Sequence, residues 1–122
     1  PPGDAEQQRL TLMKEVSLAI SRLDRCRDIQ TVKELKVSLE TQPEFSREFQ
    51  RFPEGMTFLV QLLLEAPEKP HAKLEACLRC LAVALRQGCG YTGLIEEKLV
   101  DKIVYCFESA TNAAVRRVAL EL

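Results

Sequence analysis

The sequence of 122 residues predicts an all-α protein. Apolar residues recur at steps of three and four along most of the chain, which is the period of an amphipathic helix. No stretch alternates apolar and polar residues for long enough to make a strand, and no Asn-Gly or Asp-Gly pair marks a hairpin turn. Prolines and glycines divide this pattern into segments of helical length.

Two long helices are predicted in the first third of the chain. The first runs from Asp4 to Arg25, and its apolar stripe consists of Leu10, Met13, Val16, Ile20 and Leu23. Asp28 is predicted to cap the second helix, which ends before Pro43 because a residue that precedes proline favours extended backbone. The stripe of this second helix consists of Ile29, Val32, Leu35 and Leu39.

The middle of the chain predicts a short helix and a strongly apolar one. The short helix carries an aromatic face and is expected to stop at Pro53-Glu54-Gly55; its face consists of Phe45, Phe49 and Phe52. The apolar helix that follows is expected to end at Pro67 and Pro70, and it is lined by Met56, Leu59, Val60 and Leu63.

Four elements are predicted in the last third. A helix with an apolar stripe of Leu74, Cys77, Leu78, Leu81 and Leu85 is expected to end at Gly88 and Gly90, which tolerate left-handed backbone. Leu94 and Ile95 predict a short linking helix. A further buried helix is marked by Leu99, Ile103, Val104 and Phe107. After a turn from Ser109 to Asn112, a last helix is expected from Ala113 to Leu122.

An internal repeat predicts how these helices are arranged. The segment from Phe58 to Leu63 resembles the segment from Lys102 to Phe107, which lies forty-four residues later. A period in the low forties is typical of armadillo and HEAT repeats, in which each helix set buries its apolar face on the next. We therefore expect an armadillo/HEAT-like array over residues 28–122 that is incomplete at its C-terminal end. A closed helical bundle is the alternative.

Composition excludes several classes of function. Seventeen basic and eighteen acidic residues give no net positive field for nucleic acid. The longest apolar stretch, Phe58 to Leu64, is interrupted by Gln61 and is too short for a membrane span. The five cysteines form an odd set, and Cys77, Cys80 and Cys106 fall among apolar residues, which indicates buried thiols and a cytoplasmic protein without disulfides.

The residues that carry chemistry do not combine into a catalytic or metal site. Cys77 and Cys80 form a Cys-x-x-Cys pair, but it lies within a helix and lacks two further zinc ligands, so both are expected in the core. His71 is the single histidine and has no identifiable partner. No glycine-rich phosphate loop is present. We predict no enzymatic activity, no cofactor and no bound metal.

Two further groups of residues are open to a functional interpretation. Glu44, Arg47, Glu48 and Arg51 form a mixed-charge face, as do Arg116, Arg117 and Glu121, and such faces are usually solvated. Val37 lies off the apolar stripe of its helix, so we expect it to pack against a neighbouring helix. The alternative is that Val37 lines a surface groove that accepts an amphipathic helix from a partner.

Three segments resemble the GTPase-binding and formin homology 3 region of formins. Leu35-Lys36-Val37-Ser38-Leu39 with Pro43 is similar to the Leu-x-Val-Ser-Leu-x-x-x-Pro stretch of that region. Cys77-Leu78-Arg79-Cys80-Leu81, closed by Gly90-Tyr91, is similar to its Cys-x-x-Cys helix. Val118-Ala119-Leu120-Glu121-Leu122 is similar to the start of its Val-x-Glu-Leu-Leu-Ala-Ala helix.

The resemblance implies a fold and a function. Formins of this kind carry a right-handed armadillo-like superhelix that binds the protein's own C-terminal autoregulatory segment, and Rho-family GTPases relieve this inhibition of actin assembly. The resemblance implies a cytoplasmic, cytoskeleton-associated protein that affects actin only indirectly. Residues 1–27 would be a linker helix or part of a GTPase-binding subdomain. By position, the binding face would consist of Val37, Glu40, Thr41, Gln42, Ala82 and Arg86.

The chain departs from the family at four of these positions. Relatives often carry asparagine where this chain has Glu40, Thr41, Gln42 and Arg86, and an amide makes different hydrogen bonds from a carboxylate or a guanidinium. An armadillo scaffold unrelated to actin is therefore the alternative function.

Overall fold

The computed structural model describes residues 2–67, 72–90, 97–109 and 117. Within them the chain forms helices and no strand, which confirms the all-α prediction. The six helices are α1 (Pro2–Arg25), α2 (Ile29–Thr41), α3 (Pro43–Phe49), α4 (Pro53–Glu65), α5 (Ala72–Arg86) and α6 (Glu97–Ser109). None of these helices is both long enough and apolar enough to cross a lipid bilayer.

The joint between α1 and α2 is fixed by a side-chain cap. Asp28 Oδ1 accepts hydrogen bonds from the backbone N–H of Thr31 at 2.8 Å and from its hydroxyl at 2.6 Å. The hydroxyl contributes most to a lowered pKa of the Asp28 carboxyl, followed by the backbone N–H. This confirms the predicted cap. Residues 1–27 end in the same joint, and their separation as a domain stays a prediction.

The joint between α3 and α4 differs from the prediction. Pro53 does not stop a helix but occupies the first turn of α4, after an extended Phe52 with φ −113° and ψ 92°. Proline is well suited to this position because its missing N–H has no intrahelical partner there and its φ is already helical. Gly55 is buried in the same turn. The predicted extended residue before Pro43 is confirmed, since Gln42 has φ −123° and ψ 95°.

The helices pack so that α2 lies alongside α5 in the most extensive of the interhelical contacts. The two helices run in the same direction. Lys73, near the start of α5, is close enough to Asp28 to act on its carboxyl, and Lys36 acts on Cys80 about two turns further along both helices. Helix α4 contacts α1, α5 and α6. A hydrogen bond of 2.9 Å from Lys102 Nζ to the carbonyl of Ala66 joins α6 to the end of α4.

The core contains most of the predicted apolar residues. Those confirmed as buried are Val16, Ile20, Leu23, Val32, Leu35, Leu39, Met56, Leu59, Val60, Leu63, Leu74, Cys77, Leu78, Leu81 and Leu99. Three predictions were wrong: Leu10 is 55% exposed, Val104 is 46% exposed, and Met13 is only partly buried, in a surface depression beside Leu10. Residues 3–11 of α1 are all exposed, so Leu10 lies before the part of α1 that joins the core. Leu12 packs against the core instead.

The ends of the later helices are partly as predicted. Gly88 has φ 88°, as expected after α5, whereas Gly90 has no positive φ. Helix α6 begins at residue 97 and ends at 109, forty-four residues after the start and end of α4 at 53 and 65. The linking helix at Leu94 and Ile95, the end of the turn after Ser109 and, apart from Arg117, the helix from Ala113 to Leu122 lie outside the described residues.

Candidate interaction surface on helices α2 and α5

A depression of about 420 Å³ lies on the outer side of the contact between α2 and α5. Helix α2 contributes Lys33, Lys36 and Val37, and α5 contributes Ala72, Glu75, Ala76 and Arg79. Both sets follow the spacing of a single helix face, with steps of three and four residues. We call these seven residues the α2–α5 surface.

Val37 is the large apolar side chain of the α2–α5 surface, and it is 54% exposed. The expectation that it packs against a neighbouring helix is therefore wrong for the described part of the chain. Leu35 and Leu39 point into the core, and a residue two positions from each of them lies on the opposite side of the helix. Val37 is thus available to a partner, as the alternative interpretation required.

The charges on the α2–α5 surface are mostly positive. The Arg79 guanidinium donates two hydrogen bonds, of 3.0 and 2.9 Å, to Glu75 Oε1. The Lys36 ammonium lies 3.7 Å from a carboxylate oxygen of Glu40. Lys33 is exposed and has no ion pair with any residue in the described part of the chain. These contacts leave the surface with an excess of cations.

The other predicted site residues are only partly brought together with Val37. Glu40 and Thr41 are exposed beside the α2–α5 surface, and the Thr41 hydroxyl donates to the carbonyl of Val37 at 2.7 Å. Gln42 instead lines a different depression, between α1, α2 and α3. Arg86 is exposed at the end of α5. Ala82 is only 3% exposed, so it does not line a binding face as expected.

Of the seven residues of the α2–α5 surface, the sequence prediction named only Val37 as a binding residue. Lys33, Lys36, Val37 and Glu40 follow the i, i+3, i+4, i+7 pattern on α2, and Ala72, Glu75, Ala76 and Arg79 follow it on α5. This pattern could have identified each half of the surface. It could not show that the two halves meet, because that depends on how α2 and α5 pack.

The Cys-x-x-Cys pair lies in the core, as predicted. Cys77, Cys80 and Cys89 are buried, and Cys26 is exposed. Burial raises the pKa of the Cys77 thiol to about 11, and burial, with the nearby Cys77, raises the pKa of Cys80 further. Burial also raises the pKa of Cys89, although a hydrogen bond with Gln50 opposes this. The described residues contain no group of three or more side chains able to hold a metal ion, and His71 lies outside them.

Thiol labelling should separate these cysteines. We expect a chain carrying Cys106→Ser, which removes a thiol whose side chain is not described, to present one rapidly reacting thiol in its folded state. That thiol is Cys26, and the buried thiols should react at least about a hundredfold more slowly because each needs local opening and deprotonation. Mass spectrometry after timed labelling would measure this. Rapid labelling of Cys77 or Cys80 would contradict the burial described here.

The mixed-charge face on α3 is only partly solvated. Glu48 is 5% exposed and lies 3.8 Å from the guanidinium of Arg51, which is itself exposed. The prediction of a fully solvated face is therefore wrong for Glu48: α1 packs against α3, and its residues Gln8 and Leu12 line the same depression as Glu48. Arg117 is exposed, and Arg116 and Glu121 lie outside the described residues.

No family model, curated protein or solved structure matches this chain. The resemblance to formins therefore depends on the three sequence segments alone.

Proposed function

We propose that the chain is a protein-interaction module that binds a helix of its partner on the α2–α5 surface. The observation that carries this proposal is the exposed Val37, whose side chain lines the open depression formed by α2 and α5 and does not join the core. A shallow depression between helices, with an apolar side chain and polar residues around it, is a recurrent site for an amphipathic helix. The residues on this surface offer contacts for binding and no set for catalysis.

We propose further that the helices are units of an armadillo-like array. Two features support this: helices α4 and α6 have the same length and lie forty-four residues apart, and α2 and α5 lie side by side in the same direction. In such an array, equivalent helices of successive units stack, so each unit exposes one helix face along a continuous surface. The α2–α5 surface would then belong to the face that holds partners.

The partner we propose is the C-terminal autoregulatory segment of the same protein, as in formins, with a Rho-family GTPase relieving the contact. The support is the similarity of the segments at Leu35–Leu39, Cys77–Leu81 and Val118–Leu122. Actin would be affected only indirectly, and the protein would act in the cytoplasm with the cytoskeleton. Val37 lies in the first of these segments and on the α2–α5 surface, so sequence and geometry point to the same residue.

A titration with matched variants tests this function. The chain would be titrated with a labelled peptide of the full-length protein's C-terminal segment, and Val37→Asp should weaken binding at least about tenfold, since it places a charge at the apolar contact. Leu10→Asp is the control because Leu10 is equally exposed but lies on α1. Equal binding by the wild type and Val37→Asp, or an equal loss in Leu10→Asp, would contradict the proposal.

An armadillo scaffold unrelated to actin is the second candidate. The reason to consider it is that the binding positions carried over from formins do not share one surface: Ala82 is buried, and Gln42 lines a different depression from Val37. Under this alternative the chain would not bind the C-terminal segment, but Val37→Asp would still abolish capture of an unrelated helical partner. Binding of the C-terminal segment to the chain therefore separates the two functions, because only the formin-type function predicts it.

A further inference from the structure

We infer that the helix bound by the α2–α5 surface is acidic, with carboxylates flanking a narrow apolar stripe. This inference rests on the proposed function and adds to it the chemistry of the partner. It is carried by the arrangement of three cations around Val37, and by the small residues that lie beside it.

The apolar part of the surface is narrow and flat. Val37 projects from α2, and the facing turns of α5 carry two alanines, whose side chains are a single methyl group: Ala72 is exposed, whereas Ala76 lines the depression but is only 6% exposed. Small residues allow another helix to approach the backbone closely, so a partner could place one or two leucine-sized side chains against Val37 and the alanines. A broad apolar face on the partner would find no matching area here.

The charged part of the surface selects an anionic partner. Lys33, Lys36 and Arg79 line the depression, whereas Glu75 is its single carboxylate. Glu40, at the edge of the surface, pairs with Lys36, so three cations face two carboxylates and leave one positive charge in a chain whose net charge is −1. Like charges facing each other across an interface lower affinity, and opposite charges favour both encounter and register. A basic amphipathic helix would be repelled by the same residues.

The positions of the cations indicate how carboxylates would be spaced. Lys33 and Lys36 are three residues apart on one helix face, and Arg79 lies across the depression on α5. Lys33 has no ion pair in the described part of the chain, and Arg79 and Lys36 already have Glu75 and Glu40 as partners. Glutamates on both edges of a partner's apolar stripe would reach Lys33 and Lys36 on one side and Arg79 on the other.

Another exposed apolar patch in the described part of the chain, on α1, does not share this arrangement. Leu10, Met13 and Leu18 form a stripe on α1, with Lys14 as its single charged residue. This α1 stripe carries two exposed leucines, at 55% and 52%, and fewer charged residues than the α2–α5 surface. Substitutions on the α1 stripe are therefore the appropriate control for both the apolar and the charge contribution to binding.

Designed peptides test the inference directly. Three helical peptides of about fifteen residues would be titrated by fluorescence anisotropy: one with leucines flanked by glutamates, one with the same leucines flanked by lysines, and one with glutamates and alanines. We expect the leucine–glutamate peptide to bind at least about tenfold more tightly than either of the others, and to weaken with added salt. Equal or tighter binding of the lysine peptide would overturn the inference.

Charge-removing variants locate the contact. The double variant Lys33→Gln with Lys36→Gln should weaken binding of the leucine–glutamate peptide at least about fivefold, whereas Lys14→Gln on α1 should leave it unchanged. An unchanged affinity in the double variant would overturn the inference. So would binding of a single-stranded DNA oligonucleotide that is as tight as that of the peptide and equally sensitive to the variant, since the surface would then recognise polyanions.

The outcomes for the two proposals are separable. If the C-terminal segment binds and Val37→Asp weakens it, but the designed peptides do not differ, the proposed function stands and the acidic partner is wrong. If the leucine–glutamate peptide binds at Lys33 and Lys36 but the C-terminal segment does not bind, the acidic partner stands and the formin-type function is wrong.

Discussion

Replacing Phe49 with alanine is expected to lower the free energy of unfolding by about 3–5 kcal/mol. Phe49 is fully buried at the end of α3, where its ring stacks on that of Phe45 with centroids 6.4 Å apart. It also contacts the first turn of α4 at Gly55. Removing the ring therefore leaves a cavity where α3 meets α4.

Urea unfolding followed by circular dichroism would measure this effect. Phe49→Leu keeps much of the buried volume and should lose clearly less stability than Phe49→Ala. A chain of this size is stable by about 5–15 kcal/mol, so the alanine variant should be partly unfolded at modest denaturant concentrations. A loss below about 1 kcal/mol would show that Phe49 does not join α3 to α4 as described.

Replacing Gly55 with valine is expected to destabilise the chain by about 2–3 kcal/mol. A Cβ atom at this position would lie 2.6 Å from two ring carbons of Phe49 and 3.3 Å from Ile20 Cγ1. The Phe49 ring is buried and cannot move away without displacing its neighbours. The close approach of α4 to α3 therefore requires glycine here, although the backbone conformation does not.

A double-mutant cycle shows whether this contact is the cause. In a Phe49→Leu background the destabilisation by Gly55→Val should shrink by about 1 kcal/mol or more, because the ring atoms that would clash are gone. Gly3→Val is the matched control, since a Cβ at Gly3 would meet nothing within 4 Å, and it should change stability by less than about 0.5 kcal/mol. Additive effects of the two substitutions would place the clash elsewhere.

The helices could be predicted because their signals are local. The cap at Asp28 and the extended residue before Pro43 depend on side chains and prolines next to them in the sequence. The buried stripes followed from periodicity, as at Val32, Leu35 and Leu39. The prediction failed where the same short sequence is compatible with two structures. A Pro-Glu-Gly sequence can follow the end of a helix or begin one, and here Pro53 begins α4.

The candidate site could be predicted only in part. Val37 was identified because it lies off the stripe of its own helix, which sequence alone reveals. Its neighbours Ala72, Ala76 and Arg79 come from α5, and their proximity depends on the rotation and direction of α5 against α2. Ala82 was misplaced for the same reason. Its binding role was transferred by sequence position, and a sequence position does not show which face of the helix is buried.

Two features had no sequence signal at all. Arg27 has a left-handed φ of 52°, a conformation usually occupied by glycine or asparagine, and its guanidinium bonds to Glu65 at the end of α4. Glu48 is buried although carboxylates are rarely buried. In both cases contacts from distant parts of the chain outweigh the local preference of the residue.

Mapping the bound partner by NMR tests the central claim most directly. Amide and methyl spectra of the chain would be recorded with and without a saturating peptide of the full-length protein's C-terminal segment. If the α2–α5 surface holds that segment, the largest shift changes should fall on Val37, Lys33, Ala76 and Arg79, while Leu10 and Leu18 on α1 stay unchanged. Changes confined to α1, or no changes at all, would contradict the assignment of this surface as the binding site.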